Sequence, residues 1–273
     1  MSGSPTLPVL AKMKRDGRKI VCVVAWDYQM ARIADRAGVD IVSVGDSVGV
    51  NLWGHRNPLE ITLEELLVAA KAVRRGVSRA LVSCDFPYGP LQEGTSAAVK
   101  AAIRLVKEAG ADMVKLDGAA DNLDAVTAIQ RAGIPVFAQF GITPQTALRY
   151  GITYTGTASN ADEVPAELTA EFVRQAKQLV TAGAALLNFT NSGPVVGPAV
   201  VEAVTVPVLG GFGGGPWLDG RIRMAMAAIG YGAGNLDEPA PDAYANVAQV
   251  AFDAICKYSE DVRAGRQIRG GRT

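Results

Sequence analysis

The sequence predicts an α/β protein in which eight parallel strands and their helices close into a (β/α)8, or TIM, barrel. Three observations predict it: the chain length, an alternation of short apolar runs with helix-length segments, and a repeated Ala-Gly pair. The 273 residues, 49% of them apolar, match the size at which such a barrel forms one domain. We therefore predict a single domain over residues 1–273, with an open doubly wound sheet as the alternative.

Apolar runs of strand length recur along the chain and predict buried parallel strands. Seven runs are clear, and they cover residues 20–26, 41–44, 80–84, 113–116, 136–140, 185–189 and 206–210. An eighth strand is predicted near residues 227–232, where the pattern is weaker.

The segments between these runs have the three-to-four periodicity of amphipathic helices, as in residues 61–76, 95–109, 122–132 and 166–182. Residues 6–15 predict a short extra helix at the bottom of the barrel. An Ala-Gly pair stands between helix and strand at four places and predicts a left-handed helix cap at Gly38, Gly110, Gly133 and Gly183. Residues 141–165 form a long Gly/Thr/Ser-rich connection, which we interpret as a lid or interface loop.

Charge and cysteine content exclude several classes of protein. The 27 basic and 27 acidic residues balance, and no basic stripe indicates a nucleic-acid partner. The three cysteines lie far apart in apolar surroundings, which is typical of reduced thiols. No signal peptide or bilayer-length apolar segment is evident, so we expect a cytoplasmic protein without a membrane partner.

Four consecutive predicted strands are followed by an aspartate: Asp27, Asp46, Asp85 and Asp117. Because the carboxyl ends of parallel barrel strands open on one face, these side chains are expected to converge where barrel enzymes place their chemistry. Convergent carboxylates repel one another unless a cation lies between them, and Mg2+ prefers such oxygen ligands. Lys115 points the same way as Asp117. The alternative for each aspartate is an N-cap of the next helix.

His55 is the only histidine, which excludes a multi-histidine zinc centre and argues against a serine–histidine hydrolase. It lies in a predicted loop after the second strand. A loop histidine bonded to the backbone and a catalytic histidine both remain open.

Seven segments, taken in order, make the chain similar to the ketopantoate hydroxymethyltransferase family of the phosphoenolpyruvate mutase/isocitrate lyase superfamily. The segments are Ala25-Trp26-Asp27-Tyr28, Val44-Gly45-Asp46-Ser47-Val48-Gly49, Gly54-His55, Ala72-Val73-Arg74-Arg75-Gly76, Cys84-Asp85-Phe86-Pro87-Tyr88, Gly110-Ala111-Asp112-Met113-Val114-Lys115-Leu116-Asp117-Gly118 and Gly141-Ile142-Thr143-Pro144-Gln145.

This resemblance implies Mg2+ held by Asp46, Asp85 and Asp117, with a small 2-oxo acid contacted by Ser47 and Lys115. It implies that the enolate of the 2-oxo acid attacks a one-carbon unit derived from methylenetetrahydrofolate and gives a hydroxymethylated 2-oxo acid, a step of pantothenate biosynthesis. It also implies a homo-oligomer, often a decamer.

The chain departs from the family pattern at three positions. Asp117 replaces a longer glutamate, and Gln139 replaces a histidine. Thr190 stands at the catalytic position where the family has its proton-abstracting glutamate, and a hydroxyl cannot accept a proton near neutral pH as a carboxylate can.

We therefore hypothesise the same enolate chemistry on a different 2-oxo acid or electrophile, with Asp27, Lys115 or metal-bound water moving the proton. Asn188, Thr190 and Asn191 predict a substrate pocket with more hydrogen-bonding groups than the family's, which would suit a substrate with an extra polar group. Gln139 and Asn188 are predicted to bind the substrate. One alternative is a carbon–carbon or carbon–phosphorus lyase of the same superfamily. The other is a relative that binds a 2-oxo acid without catalysis.

Overall fold

Eight parallel strands close into a barrel in the computed structural model of the chain, which describes residues 4–152, 154–155, 158–159, 164–211 and 213–270. The predicted closed barrel is therefore confirmed. The strands are β1 (Ile20–Val24), β2 (Ile41–Val44), β3 (Leu81–Asp85), β4 (Met113–Leu116), β5 (Val136–Gly141), β6 (Leu186–Thr190), β7 (Val208–Gly210) and β8 (Gly220–Met224). Their order around the barrel is β1-β8-β7-β6-β5-β4-β3-β2.

The helices follow the strands in the alternation that the periodicity predicts. They are α1 (Leu7–Arg15), α2 (Tyr28–Arg36), α3 (Val48–Asn51), α4 (Leu63–Gly76), α5 (Thr95–Ala109), α6 (Leu123–Arg131), α7 (Thr169–Thr181), α8 (Val196–Ala203), α9 (Ala225–Ile229) and α10 (Val247–Arg263). Start signals in the sequence act as expected: Thr62 and Glu65 form a capping box at α4. All four Ala-Gly pairs place their glycine at positive φ.

Helix α1 closes the lower end of the barrel, where the strands begin. Thr6 caps it by accepting a hydrogen bond from Val9 N at 3.4 Å. Leu10 and Met13 are buried among inward-facing strand side chains, namely Ile20, Cys22, Ile41, Met113, Phe137, Leu186 and Leu209. Lys14 Nζ lies 2.8 Å from Asp219 Oδ2 just before β8. The predicted extra helix is thus present and covers the bottom.

The predicted eighth strand at residues 227–232 is wrong. Strand β8 lies earlier, at Gly220–Met224, and the predicted segment instead includes the end of α9, which stops at Gly230 with φ +64°. Two arginines interrupt the apolar run of β8, which hides it in the sequence. Closure also depends on Gly220, because a Cβ there would lie 2.3 Å from the Ile20 carbonyl oxygen.

The chain divides into two compact units, residues 1–222 and 223–273. In the second unit, Asn246 caps α10 by accepting a hydrogen bond from Gln249 N at 3.1 Å. The single domain over residues 1–273 stays a prediction. Of the helices in the described ranges, none is both long and apolar enough to span a bilayer.

The predicted lid of residues 141–165 is described only in part. It contains a 3-10 turn at Ala147–Tyr150 and a hairpin of Tyr154–Thr155 with Ala158–Ser159. Residues 153, 156–157 and 160–163 of this segment lie outside the described residues. Its role as a lid stays a prediction.

Candidate active site at the upper end of the barrel

The upper half of the barrel interior is polar. Since side chains alternate along a strand, the residues two and four positions beyond the apolar lower layer also face inward. These positions hold buried polar or charged side chains: Ser43, Ser83, Asp85, Lys115, Gln139, Asn188 and Thr190. Polar side chains so placed require partners, which makes this end of the barrel the candidate site.

Lys115 lies at the centre of the charged part. Its Nζ forms an ion pair with Asp85 Oδ2, and both side chains are nearly inaccessible. Burial by itself lowers the pKa of Lys115, but the attraction of Asp85, Asp46 and Asp117 outweighs burial and raises it. The Lys115 ammonium is therefore held protonated among three carboxylates.

Asp46 and Asp85 are brought together although they lie 39 positions apart. Asp85 Oδ2 accepts a hydrogen bond from Asp46 N at 3.4 Å, and its Oδ1 accepts one from Ser43 Oγ at 3.3 Å. The protein packed around Asp46, together with the like charge of Asp85, raises the pKa of the Asp46 carboxyl. The predicted convergence of these two strand ends is what the structure shows.

Because Gly45 has no side chain, Ser47 and Asp85 can lie close to its backbone. A Cβ at this position would lie 2.9 Å from Ser47 Oγ and 3.8 Å from Asp85 Oδ2. Ser47 thus lies beside the carboxylates at the start of α3, as the resemblance implies.

Asp117 is held by the loop that follows β5. Its Oδ1 accepts a hydrogen bond from Gly118 N at 2.7 Å, whereas Oδ2 is buried without a hydrogen bond of ordinary geometry among the described residues. Burial raises the pKa of Asp117 to about 6, although the nearby Thr143 hydroxyl, Lys115 and backbone donors of Gly118 and Gln145 favour its charged form.

Three neutral side chains on β5 and β6 line another wall of the interior, and we refer to Gln139, Asn188 and Thr190 as the amide wall. Gln139 and Asn188 are paired in register. Gln139 Nε2 donates to Thr190 Oγ1 at 3.3 Å, and Asn188 Oδ1 is buried without a partner in the described part of the chain. The next residue, Asn191, has φ +56°, a conformation that non-glycine residues rarely adopt.

Among the described contacts, Asp27 forms no hydrogen bond with the cluster of Asp46, Asp85 and Lys115. It is exposed and caps α2, its Oδ1 accepting from Met30 N at 2.8 Å. For this aspartate the N-cap alternative describes the observed contact.

His55 lies apart from the cluster as well. Its Nε2 is 3.0 Å from Glu65 Oε1, and its ring packs against Gly49, where a Cβ would lie 2.9 Å from His55 Cδ2. The structure therefore shows a loop histidine whose ring is bonded to a side chain of α4.

Two residues of the site were missed by sequence reasoning. Ser43 bonds Asp85, and Thr143 lies beside Asp117. Ser43 carries a readable signal, since it is a lone polar residue inside a buried apolar strand. Thr143 stands in the family segment that begins at Gly141, but no local pattern reports its position beside Asp117, because the fold brings the loop after β5 next to the end of β4.

The net charge of the three carboxylates and Lys115 suits a divalent cation. In the described part of the chain, however, the carboxylates are not grouped closely enough to act as three ligands of one ion. The three carboxylates around Lys115 leave a formal charge of −2. Among the described residues, no three His, Cys, Asp or Glu side chains are grouped closely enough to hold one ion. Mg2+ in enzymes is often bound by one or two carboxylates, with substrate and water completing its shell.

Comparisons with known proteins agree with this geometry. Residues 4–267 match the family described as ketopantoate hydroxymethyltransferase. The 3-methyl-2-oxobutanoate hydroxymethyltransferase of Cyanothece sp. (strain PCC 7425 / ATCC 29141) is 36% identical over 94% of this chain and 96% of its own. The crystal structure of 2,3-dimethylmalate lyase, a PEP mutase/isocitrate lyase superfamily member, has a TM-score of 0.59 at 15% identity, covering 94% of this chain and 87% of that one.

A phosphonopyruvate hydrolase in complex with oxalate and Mg++ is similar to the same extent, with a TM-score of 0.59 at 14% identity over 96% of this chain and 88% of that one. The barrel fold is therefore similar to the folds of these two proteins, and the site lies at the strand ends where barrel enzymes act. Within this class, the chain belongs to the ketopantoate hydroxymethyltransferase family. The prediction of a hydroxymethyltransferase-type enzyme is confirmed at this level.

Proposed function

We propose that the chain is a Mg2+-dependent enzyme that transfers a hydroxymethyl group to a small 2-oxo acid through its enolate. The observation that carries this is the buried Lys115 ammonium surrounded by Asp85, Asp46 and Asp117 at the upper end of a barrel of this family. The similarity to 3-methyl-2-oxobutanoate hydroxymethyltransferases supports the reaction class.

Asp46 and Asp85 are the residues that would hold Mg2+, with Asp117 acting through water. The charge of −2 and the position of Asp117 close to Lys115 support this arrangement. When bound, Mg2+ would supply Lewis-acid polarisation of the 2-oxo acid. Lys115 and Ser47 would hold the carboxylate and keto oxygens, and the Lys115 ammonium would stabilise negative charge that develops there.

The reaction moves one proton and one carbon unit without oxidation or reduction. The carbon next to the carbonyl loses a proton and forms a bond to a one-carbon unit at the oxidation level of formaldehyde, which methylenetetrahydrofolate would provide. Water would supply the hydroxyl oxygen, and the two carbon–nitrogen bonds to the carrier would break. The nitrogens of the released tetrahydrofolate would take up the substrate proton and one proton of that water. Thr190 cannot accept that proton, and the raised pKa of Lys115 makes it a donor. With Asp27 engaged as a helix cap, water in the site is the remaining carrier of the three hypothesised.

Deuterium exchange tests the first half of the reaction. The protein, Mg2+ and 3-methyl-2-oxobutanoate or pyruvate are incubated in deuterated water, and proton NMR follows the signal of the carbon next to the carbonyl. We expect its loss with the wild-type protein, and no loss with an Asp46→Asn, Asp85→Asn double variant. Retention of the signal for every 2-oxo acid tried would overturn the enolate proposal.

A carbon–carbon lyase is the second candidate, and Thr190 favours it. Cleavage of a bond to a metal-chelated 2-oxo acid needs no carboxylate base at that position. In the same NMR samples, with 2-oxo acids that can be cleaved added, a cleavage product without exchange of the adjacent proton would select the lyase.

Location and assembly belong to the same proposal. We expect a cytoplasmic homo-oligomer in pantothenate biosynthesis, a decamer by resemblance to the family. Light scattering combined with size-exclusion chromatography measures the number of subunits.

A further inference from the structure

The amide wall is the part of the site that the proposed hydroxymethyl transfer does not use. Gln139, Asn188 and Thr190 are 8%, 6% and 2% exposed, so all three are enclosed within the barrel. None of them carries a charge. The wall faces the same interior as Lys115 and Asp85, because all of these residues occupy inward positions of β3 to β6.

The hydrogen-bonding capacity of this wall is largely unused. Among the residues that the structure describes, its only direct bond between side chains joins Gln139 Nε2 to Thr190 Oγ1 at 3.3 Å. Asn188 Oδ1 is buried without a partner in the described residues. Buried polar atoms in native proteins nearly always have a partner, so an orphaned amide oxygen in an active site indicates a group that arrives with a ligand or with water.

A branched alkyl side chain on the substrate fits this wall poorly. Placed against Asn188 and Gln139, it would keep water away and leave their amide groups without partners. Sites built to form hydrogen bonds reject analogues that cannot form them much more strongly than apolar sites reject an extra polar group.

A second carboxylate on the substrate fits the charge balance poorly. With a divalent cation bound, the three carboxylates and Lys115 are neutral overall, and the carboxylate of a 2-oxo acid adds one negative charge. Lys115 is the only cation among the buried residues that the structure describes, and it is already paired with Asp85. Another buried negative charge would have no counter-charge.

From these two arguments we infer that the 2-oxo acid bound by this chain carries an uncharged hydrogen-bonding group, an amide or a hydroxyl, on its side chain. The inference rests on the proposed function, since it assumes that a 2-oxo acid occupies the site beside Lys115. It differs from the substrate in the relatives' name, whose side chain is a branched alkyl group.

Three 2-oxo acids of similar size separate the possibilities: the 2-oxo analogues of asparagine, valine and aspartate. Isothermal titration calorimetry in Mg2+ measures the dissociation constant of each for the full chain. We expect the asparagine analogue to bind at least tenfold more tightly than the other two. Equal or tighter binding of the valine or aspartate analogue overturns the inference and leaves the proposed function standing. Binding of none of the three overturns both.

Substitutions in the wall test whether these residues set the preference. Asn188→Leu keeps the size of the side chain and removes its hydrogen bonds, so we expect binding of the asparagine analogue to weaken at least tenfold and that of the valine analogue to strengthen. The control is Thr181→Val, which removes a hydroxyl at the exposed end of α7, outside the site, and should leave the preference unchanged.

Should Asn188→Leu not fold, Thr190→Val replaces the side chain with one of the same shape and removes only the hydroxyl. We expect a loss of about threefold for the asparagine analogue alone. In whichever of the two variants folds, an unchanged ratio between the affinities for the asparagine and valine analogues overturns the assignment of the preference to the amide wall.

Discussion

At its lower end the barrel interior is apolar and sealed by α1, whereas at its upper end it is polar and holds three carboxylates around one lysine. The lower end packs like an ordinary core, with Leu10, Ile41 and Phe137 fully buried. The upper end buries charge that its own residues do not balance. The difference shows that the apolar core at the lower end stabilises the fold. This stability allows the upper end to keep buried charges that are unfavourable without a ligand.

Carboxylates at the two ends show the same contrast. Asp35, at the lower end, accepts hydrogen bonds from Ser78 N, Ser78 Oγ, Arg79 N and Ala80 N. Burial raises the pKa of Asp35, but these bonds lower it by more, and the result lies below the ordinary value. Asp117, at the upper end, has its pKa raised to about 6. A buried carboxylate whose charged form is stabilised by several hydrogen bonds, such as Asp35, indicates a structural role. A buried carboxylate whose pKa is raised, such as Asp117, indicates a functional site.

The largest effect is expected from Asp85→Asn, which removes the negative partner of Lys115 while keeping the shape of the side chain. We expect the deuterium exchange rate to fall roughly 100- to 1,000-fold, about 3–4 kcal/mol of barrier. Circular dichroism verifies that the variant folds. An exchange rate within tenfold of wild type would show that the upper carboxylates are not the reactive group.

At the lower end, Leu10→Ala should destabilise the protein without affecting the chemistry. Leu10 is fully buried, so the substitution should lower the free energy of unfolding by about 3 kcal/mol. Urea denaturation measures this. Val9→Ala on the exposed side of α1 is the matched control, with an expected change under about 0.5 kcal/mol. A slower exchange rate in the folded Leu10→Ala protein would contradict the separation of the two ends.

Asp35→Asn and Asp117→Asn should change the pH dependence of stability in opposite directions. The folded pKa of Asp35 is lowered, so its contribution is present above the unfolded value of 3.8 and is lost as the pH falls through the folded pKa. The folded pKa of Asp117 is raised to about 6, so its contribution is present below 3.8 and is lost as the pH rises through 6. The effect of Asp117 is at most about 3 kcal/mol.

Thermal melts at pH 3 to 8 in the presence of EDTA measure both variants against wild type. Relative to wild type, Asp35→Asn should be least stable at pH 7 and recover toward pH 3. Asp117→Asn should gain on wild type between pH 4 and 7. Parallel pH profiles for the two variants would show that these carboxylates do not differ as described.

The smallest effect is expected from Asp27→Asn. Asparagine caps a helix about as well as aspartate, so the free energy of unfolding should change by less than about 0.5 kcal/mol. The exchange rate should stay within twofold of wild type. A large drop in exchange with an unchanged melting temperature would instead identify Asp27 as the group that moves the proton.

Local patterns alone predicted most of the fold. The seven clear strands, the capping box at Thr62 and the Ala-Gly helix ends depend on interactions within a few residues, which a sequence displays directly. The eighth strand was misplaced because Arg221 and Arg223 break its apolar run, and its position depends on how closely Gly220 approaches Ile20. That contact joins residues 200 positions apart, so no local pattern reports it.

The sequence by itself determined the barrel, the family and the aspartates that end its strands. Only the tertiary structure decided which of those aspartates share an environment. Asp27 and Asp85 stand in the same local pattern, yet one caps a helix in solvent and the other is buried against Lys115. The reason is that the state of a carboxylate is set by the charges and donors around it in space, and these come from other strands.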